Sequence, residues 1–341
     1  MKSLRWILIL LFLLSTVLSL WAGESNAGKI SGLVFGDYYW IAANHRSDIE
    51  DLNGFWVRRI YFTYDKGLSE HLSMRVRFEM NSPGDFSSGN MTPFVKDAYV
   101  KWKSGLTEIV GGISPSPTFD LIEHIWGYRA VEKTPVDLQK LGPSREFGIA
   151  VKGALSADKK VKYHLMLGNG SGSKSDSNKG KKGMLALSFF PTENVVIQAY
   201  GDYNDLPGSN DIYTLQGFAA FRSEAGRIGV QYTYQKRQID DPEADDLDLN
   251  LGSVFAVAKV APQVNVFARV DRMFDPNPNG PKISYLPFAE AKSTFVVGGL
   301  DVAVEKKLHL MPNVEWITYD DVNGVSIDSD VVPRLTFFLK Y

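Results

Sequence analysis

Apolar and polar residues alternate strictly along several segments of the chain. In residues 71–81 every second residue is apolar, namely Leu72, Met74, Val76, Phe78 and Met80. The residues between them are polar, and they include Arg75, Arg77 and Glu79. A period of two places successive side chains on opposite faces, as in a β-strand with one apolar and one polar face.

The same period returns in the two segments on either side. Residues 54–65 are predicted to place Arg59 on the polar face and Trp56 on the apolar face. Residues 93–103 are predicted to place Asp97, Lys101 and Lys103 on the polar face. The apolar faces end in aromatic residues, which favours a membrane barrel with aromatic girdles over a soluble sandwich.

Sixteen segments of this kind can be counted. We predict strands near 28–42, 54–66, 71–81, 93–103, 106–114, 145–154, 161–168, 182–190, 194–203, 211–222, 227–238, 248–260, 263–273, 293–304, 308–319 and 329–341. The connections alternate between short turns and longer polar or Gly/Pro-rich loops, as in bacterial outer-membrane barrels. The pattern predicts an all-β transmembrane antiparallel up-and-down barrel of about 16 strands over residues 28–341.

The last predicted strand ends the chain on Tyr341, with Leu335, Phe337 and Leu339 on the same face. Unpaired backbone groups are costly in hydrocarbon. We therefore expect this strand to close the barrel by pairing with segment 28–42.

The N-terminus has the pattern of a secretory signal. Lys2 and Arg5 precede an apolar run, and small residues allow cleavage after Ala22 or Ala27. We predict a signal peptide over 1–27 and a bacterial outer-membrane location; an uncleaved anchor is the alternative. No later stretch of 18 apolar residues occurs, so no transmembrane helix is predicted beyond it.

Composition narrows the possible functions. The chain has no Cys, which removes disulfide, thiolate-metal and cysteine-nucleophile chemistry. Its formal net charge of −2 argues against nucleic acid as a partner. The five histidines are scattered, and neither a Gly-x-Ser-x-Gly nor a His-Glu-x-x-His motif occurs. We expect no enzymatic activity, no metal and no cofactor.

The polar strand faces supply candidate pore residues. Five basic side chains are predicted to point into the lumen as a wall that favours anions: Arg59, Arg75, Arg77, Lys101 and Lys103. Predicted inward acids are Asp65, Glu79, Asp97 and Glu108. The basic residues set selectivity in one interpretation and only neutralise these acids in the other, and the sequence leaves both open.

The longest connection, Ser114–Ser144, carries a short helical pattern. Thr118 is a candidate N-cap, followed by Phe119, Ile122, Ile125 and Trp126 at helical spacing. A loop of about 30 residues is long enough to have a function of its own.

Several motifs resemble those of Gram-negative porins, and the phosphate-selective porin group in particular. They are residues 55–64, Lys96–Lys101, Gly111–Ile113, Arg145–Ile149 and the aromatic last strand. The resemblance is best over residues 30–155. The chain ends in Tyr rather than the usual Phe, and it lacks the dense basic ladder of that group.

The resemblance implies a homotrimer and a pore that is constricted by the long loop. An inward fold would place Glu123, Arg129, Glu132 and Lys133 in the constriction; an external lid or a trimer contact is the alternative. We predict a water-filled channel for passive diffusion of small hydrophilic solutes, and more specifically of phosphate or other inorganic anions. Outer-membrane lipid and lipopolysaccharide are the expected surroundings. A non-conducting surface receptor or adhesin is the alternative function.

Overall fold

The computed structural model describes residues 27–82 and 89–341. The predicted signal peptide lies outside the described residues except for Ala27, and so do residues 83–88 of one predicted loop. No helix in the described part of the chain is both long and apolar enough to cross a membrane.

The described residues form sixteen antiparallel strands, each paired with its neighbours in sequence. They are β1 Lys29–Trp40, β2 Asn53–Gly67, β3 Leu72–Asn81, β4 Thr92–Ser104, β5 Thr107–Pro115, β6 Arg145–Ala154, β7 Val161–Gly168, β8 Lys182–Phe189, β9 Val195–Asn204, β10 Ile212–Arg222, β11 Gly226–Arg237, β12 Leu247–Ala261, β13 Val264–Met273, β14 Ser293–Glu305, β15 Leu308–Tyr319 and β16 Asp330–Lys340. The predicted strand number and order are confirmed.

The sheet closes where β16 pairs with β1. Leu33 lies opposite Lys340, and the backbones of Gly32 and Tyr341 exchange two hydrogen bonds of 3.1 and 3.0 Å. The barrel therefore has no free strand edge, and the predicted pairing of the first and last segments is confirmed.

Strict alternation gives the wall two unlike faces. In β8 the residues alternate between buried and exposed along the whole strand, and the exposed ones are Gly183, Leu185, Leu187 and Phe189. Large exposed aromatic residues lie near both ends of the strands, namely Trp40, Phe55, Tyr203 and Tyr213 at the long-loop end and Trp102, Phe189, Phe221 and Tyr341 at the short-turn end. The outer surface is thus an apolar band with an aromatic margin at each end.

A β-bulge between β1 and β2 interrupts the alternation on the lumen wall. Arg59 lies opposite Phe35 but Val57 lies opposite Gly36, so Arg58 is an extra residue in β2. The bulge turns Trp56 inwards, where its indole N–H donates to the Ser82 hydroxyl at 2.5 Å. The prediction that Trp56 faces outwards is therefore wrong, because regular alternation does not allow for the extra residue.

A second bulge lies between β3 and β4. Arg77 pairs with Asp97 and Phe78 pairs with Val95, so Lys96 is the extra residue. Its side chain consequently enters the lumen beside that of Asp97.

The connection between β5 and β6 folds into the barrel, as predicted. It carries two short helices, α1 Asp120–Trp126 and α2 Pro135–Leu138. The prediction that Thr118 caps the first helix is wrong. Phe119 occupies the cap position without a side-chain hydrogen bond, while the Thr118 hydroxyl donates to Gln216 Oε1 at 3.3 Å.

Candidate functional site in the barrel lumen

The inward loop packs against one half of the inner wall. Ile122, Ile125 and Trp126 of the loop are buried against phenylalanines of β10, β12, β13 and β14, namely Phe218, Phe255, Phe267 and Phe295. These side chains occupy inward positions that would face water in an open barrel. The loop covers them, and the open lumen is displaced towards β1–β8.

Four interior arginines from four strands hold the loop through its backbone carbonyls. Arg227 donates to the Trp126 carbonyl at 2.8 Å, and Arg269 donates to that of Lys133 at 2.6 Å. Arg58 and Arg334 both donate to the Val131 carbonyl, at 2.9 and 3.2 Å. Arg58 also donates to the Ala130 carbonyl. The four donors are Arg58, Arg227, Arg269 and Arg334. We call these four residues the arginine clamp. A hydrogen bond from a charged donor is stronger than a neutral one, so the clamp fixes the loop position.

The predicted basic wall lies on the open side of the lumen, and each of its members has a carboxylate partner. Arg75 forms a bidentate pair with Asp65, at 2.7 and 3.0 Å. Lys101 and Lys103 lie 3.6 and 3.9 Å from the same Glu108 oxygen. The lumen network that the sequence left open is therefore present.

Two further carboxylates are each shared by two cations. Glu79 lies 2.8 Å from Arg59 and 3.0 Å from Lys96. Asp97 is shared in the same way, at 3.3 Å from Arg77 and 2.5 Å from Arg145. Each carboxylate together with its two cations therefore carries a net charge of +1.

The carboxylates lie behind the cations as seen from the lumen. The side chains of Glu79 and Asp97 are 3% and 0% exposed, whereas those of their four basic partners are 14–23% exposed. A solute in the lumen therefore meets the positive groups first.

The predicted loop residues divide into two pairs. Glu123 and Arg129 lie 3.5 Å apart and both line the open lumen. Glu132 and Lys133 are buried on the long-loop side of the passage. Burial alone would raise the pKa of Glu132, but the positive charges of Lys133, Arg58 and Arg334 outweigh it and lower this pKa to about 2. Burial lowers the pKa of Lys133 to about 8, against the opposing effect of Glu132.

The lumen contains cavities on both sides of the loop. On the short-turn side, a cavity of about 510 Å³ extends from the Arg77 and Arg145 side chains to Lys340. On the long-loop side lie cavities of about 190 and 610 Å³, both lined by Lys140 and Lys282.

Lys96, Arg145 and the arginine clamp are not among the site residues predicted from the sequence. Lys96 and Arg58 would point outwards in regular strands, and a basic residue on a lipid-facing position costs about 2–4 kcal/mol at the membrane centre. That conflict was the available signal for a bulge at each position. No comparable sequence pattern marks Arg227 and Arg269 as loop contacts, because the carbonyl groups that they bind belong to a loop far away in the sequence.

A closed barrel of sixteen antiparallel strands with a loop folded into its lumen is the porin fold. No family model matches the chain, and no curated protein matches it in sequence. Solved structures match in fold. An anion-selective porin from Comamonas acidovorans has a TM-score of 0.68 and 12% identity, over 92% of this chain and 99% of that one.

Two more solved structures have the same architecture. OmpF of Salmonella typhi, in complex with daunomycin, has a TM-score of 0.66 and 12% identity over 92% of this chain and 97% of that one. OmpT of Vibrio cholerae, an outer-membrane protein in a trimer form, has a TM-score of 0.63 and 13% identity, with coverage of 93% and 100%. At such identities the likeness concerns the fold.

Proposed function

We propose that this protein is a bacterial outer-membrane porin through which small hydrophilic solutes diffuse passively. The apolar outer band with aromatic margins matches a bilayer, and the charged lumen matches a water-filled channel. The short turns then face the periplasm and the long loops face the outside, where lipopolysaccharide surrounds the barrel. No step of this transport needs a cofactor or an enzymatic reaction.

We further propose that the channel prefers anions. The observation that carries this proposal is the two-to-one sharing of carboxylates along the lumen wall. Three acids, Glu79, Asp97 and Glu108, face six cations within 4 Å, namely Arg59, Lys96, Arg77, Arg145, Lys101 and Lys103, which leaves a net charge of +3. Cations along a pore attract anions and repel cations.

The long-loop side of the lumen adds positive charge. Among the described residues, Lys140, Arg237 and Lys282 line the cavity of about 610 Å³ together with a single acid, Asp137. An anion that enters from this side therefore meets basic side chains of both the barrel wall and the loop.

Planar-bilayer recording of the purified protein in a KCl gradient tests both proposals. We expect single-channel steps and a reversal potential on the anion-selective side. Arg77→Gln and Lys96→Gln each leave the buried carboxylate with its other cation, so the net charge falls without an orphaned acid. At about 5 Å and a dielectric constant near 80, one unit charge contributes about 0.8 kcal/mol for each ion, with opposite signs for chloride and potassium. Chloride permeability should then fall about fourfold while potassium permeability rises about fourfold, which predicts about a 16-fold fall in the chloride-to-potassium permeability ratio.

Arg46→Gln is the matched control, because Arg46 pairs with Asp48 in an exposed external loop. It should leave the permeability ratio unchanged. An unchanged ratio in the two lumen variants would refute the anion preference. Complete absence of conducting steps would refute the porin proposal and favour a receptor or adhesin.

Phosphate is the more specific candidate among the inorganic anions. If phosphate binds in the lumen, millimolar phosphate should reduce the chloride current through single channels at constant ionic strength. The same concentration of sulfate controls for charge, and equal reduction by both ions would argue against phosphate specificity.

We also propose that the barrel assembles as a homotrimer, by analogy with the trimer form of the Vibrio cholerae protein. Light scattering of the detergent-solubilised protein should give a protein mass of three barrels. A monomer mass in several mild detergents would contradict this proposal.

A further inference from the structure

The cavity on the short-turn side of the loop has two unlike walls. One wall carries the apolar side chains of Leu33 and Phe35 of β1, Met311 of β15 and Phe338 of β16, and the polar residues of the same arc are Asp301, His309 and Lys340. Ala130 of the inward loop extends this wall. Leu33 and Phe338 are only half-buried, so their side chains are open to the lumen.

The other wall is cationic. Arg77 of β3, Lys96 of β4 and Arg145 of β6 line the same cavity. Tyr61 of β2 lies between the two walls, and the Arg77 guanidinium carbon lies 5.7 Å from the centre of its ring. Because the strands are in sequential order around the barrel, the apolar and cationic walls are adjacent arcs of one passage.

Packing of the loop does not require the whole apolar wall. The main loop cluster includes Met311, but Leu33 and Phe338 only border the buried residues and remain partly exposed. The cavity of about 190 Å³ on the other side of the loop is lined mainly by charged residues such as Arg58, Arg59 and Glu315. A passage for inorganic ions alone would be expected to be polar all round.

We infer that the constriction favours amphipathic monocarboxylates, meaning anions with one carboxylate and an apolar ring or branched chain. This inference rests on the proposed porin function. The carboxylate would pass along Arg77, Lys96 and Arg145 while the apolar body passes along Leu33 and Phe338.

The loop supplies a reason for a single charge. Asp120 and Glu123 line the same cavity and face the passage from the loop side, where Arg129 pairs with Glu123 at 3.5 Å, so the three side chains carry a net charge of −1. A second carboxylate on the solute would approach these acids, and like charges repel. The lining therefore favours one negative group at one end of an apolar body.

Benzoate and shikimate are suitable probes, because both are six-membered-ring monocarboxylates and shikimate carries three hydroxyl groups. Bi-ionic reversal potentials against chloride give the permeability of each. We expect benzoate to be about tenfold more permeant than shikimate, a ratio equal to about 1.4 kcal/mol.

Leu33→Asn and Phe338→Asn should each lower the benzoate-to-shikimate ratio about threefold without changing chloride selectivity. Val325→Asn is the matched control, because Val325 is an exposed apolar residue of an external loop and lines none of the cavities described. The control should keep the wild-type ratio.

The outcomes separate this inference from the function on which it rests. An anion-selective channel with a ratio near one, or variants that reduce both permeabilities equally, would overturn the inference and leave the porin proposal standing. A cation-selective channel would instead overturn the proposed anion preference, and a non-conducting protein would overturn the porin proposal.

Discussion

The arginine clamp predicts that each of its four donors contributes measurably to holding the inward loop in place. Arg227 is the cleanest member to remove. Its guanidinium donates to the last carbonyl of α1, that of Trp126, and lies 5.3 Å from the ring of Tyr128. It has no carboxylate within 4 Å among the described residues, so Arg227→Met leaves no orphaned acid.

The magnitude follows from these contacts. A hydrogen bond to a charged donor contributes about 1.5–3 kcal/mol, and a partly buried cation–π contact about 0.5–1 kcal/mol. Allowing for water to replace part of both, we expect local release of the loop to become easier by about 2–3 kcal/mol. The released population should then rise about 30- to 150-fold.

Thiol labelling can measure this release, because the native chain has no Cys. Ile125 is 3% exposed in the cluster between loop and wall, so Ile125→Cys places a thiol that reacts only when the loop moves. The labelling rate with a water-soluble maleimide should rise by the stated factor when Arg227→Met is added.

Arg272→Met is the control, because Arg272 pairs with Asp320 at the long-loop end and does not contact the inward loop. It should leave the labelling rate unchanged. Circular dichroism must show an intact barrel in every variant. If Ile125→Cys is labelled at the same rate with and without Arg227→Met, the idea that Arg227 holds the loop is refuted.

Three further predictions concern neighbouring groups. Gly127 has φ +76°, and an added Cβ would lie 2.6 Å from the Arg227 guanidinium. Gly127→Ala should therefore raise the maleimide labelling rate of Ile125→Cys at least fivefold. Burial lowers the pKa of Lys133 to about 8, so the protonated form is lost as the pH rises through that value. Anion selectivity should therefore fall between pH 7 and 9, and Lys133→Met should abolish this pH dependence. Asp37 is fully buried and pairs with Arg58 at 2.5 Å, so Asp37→Asn should lower stability by about 3–5 kcal/mol, seen as a lower unfolding temperature on semi-native electrophoresis.

The barrel itself could be predicted from the sequence because its signals are local. The alternation in residues 71–81 and the change between short and long connections each depend on neighbouring residues only. The closure of the barrel followed from the cost of a free edge in lipid. These expectations agree with the structure to within a few residues at each strand end.

The site was less predictable, because it depends on departures from regular alternation. Arg58 and Lys96 are drawn into the lumen by bulges, and a single inserted residue reverses the face of every residue beyond it until the register is restored. Trp56 was assigned to the wrong face for this reason. The partners of Glu79 and Asp97 could not be counted until both bulges were known.

The loop contacts were out of reach for a different reason. Arg269 and the Lys133 carbonyl are 136 residues apart in sequence, and no periodicity connects them. The apolar positions of α1 did indicate a buried face, but they could not tell which strands cover it. Phe255 and Phe267 occupy inward positions on the barrel wall, and they are buried there because the loop packs on them.

The interior cations therefore serve two distinct purposes, and the number of basic residues in the lumen overstates the charge that a solute meets. Arg58 donates to two loop carbonyls and pairs with Asp37, so its planar guanidinium is fully engaged. Lysine could not form these bonds together, because its ammonium is a compact point charge. Arg77 and Arg145 differ in that they share one buried carboxylate and keep a net positive charge on the open side. Selectivity should thus follow the ratio of cations to shared carboxylates, and loop position should follow the geometry of the guanidinium donors.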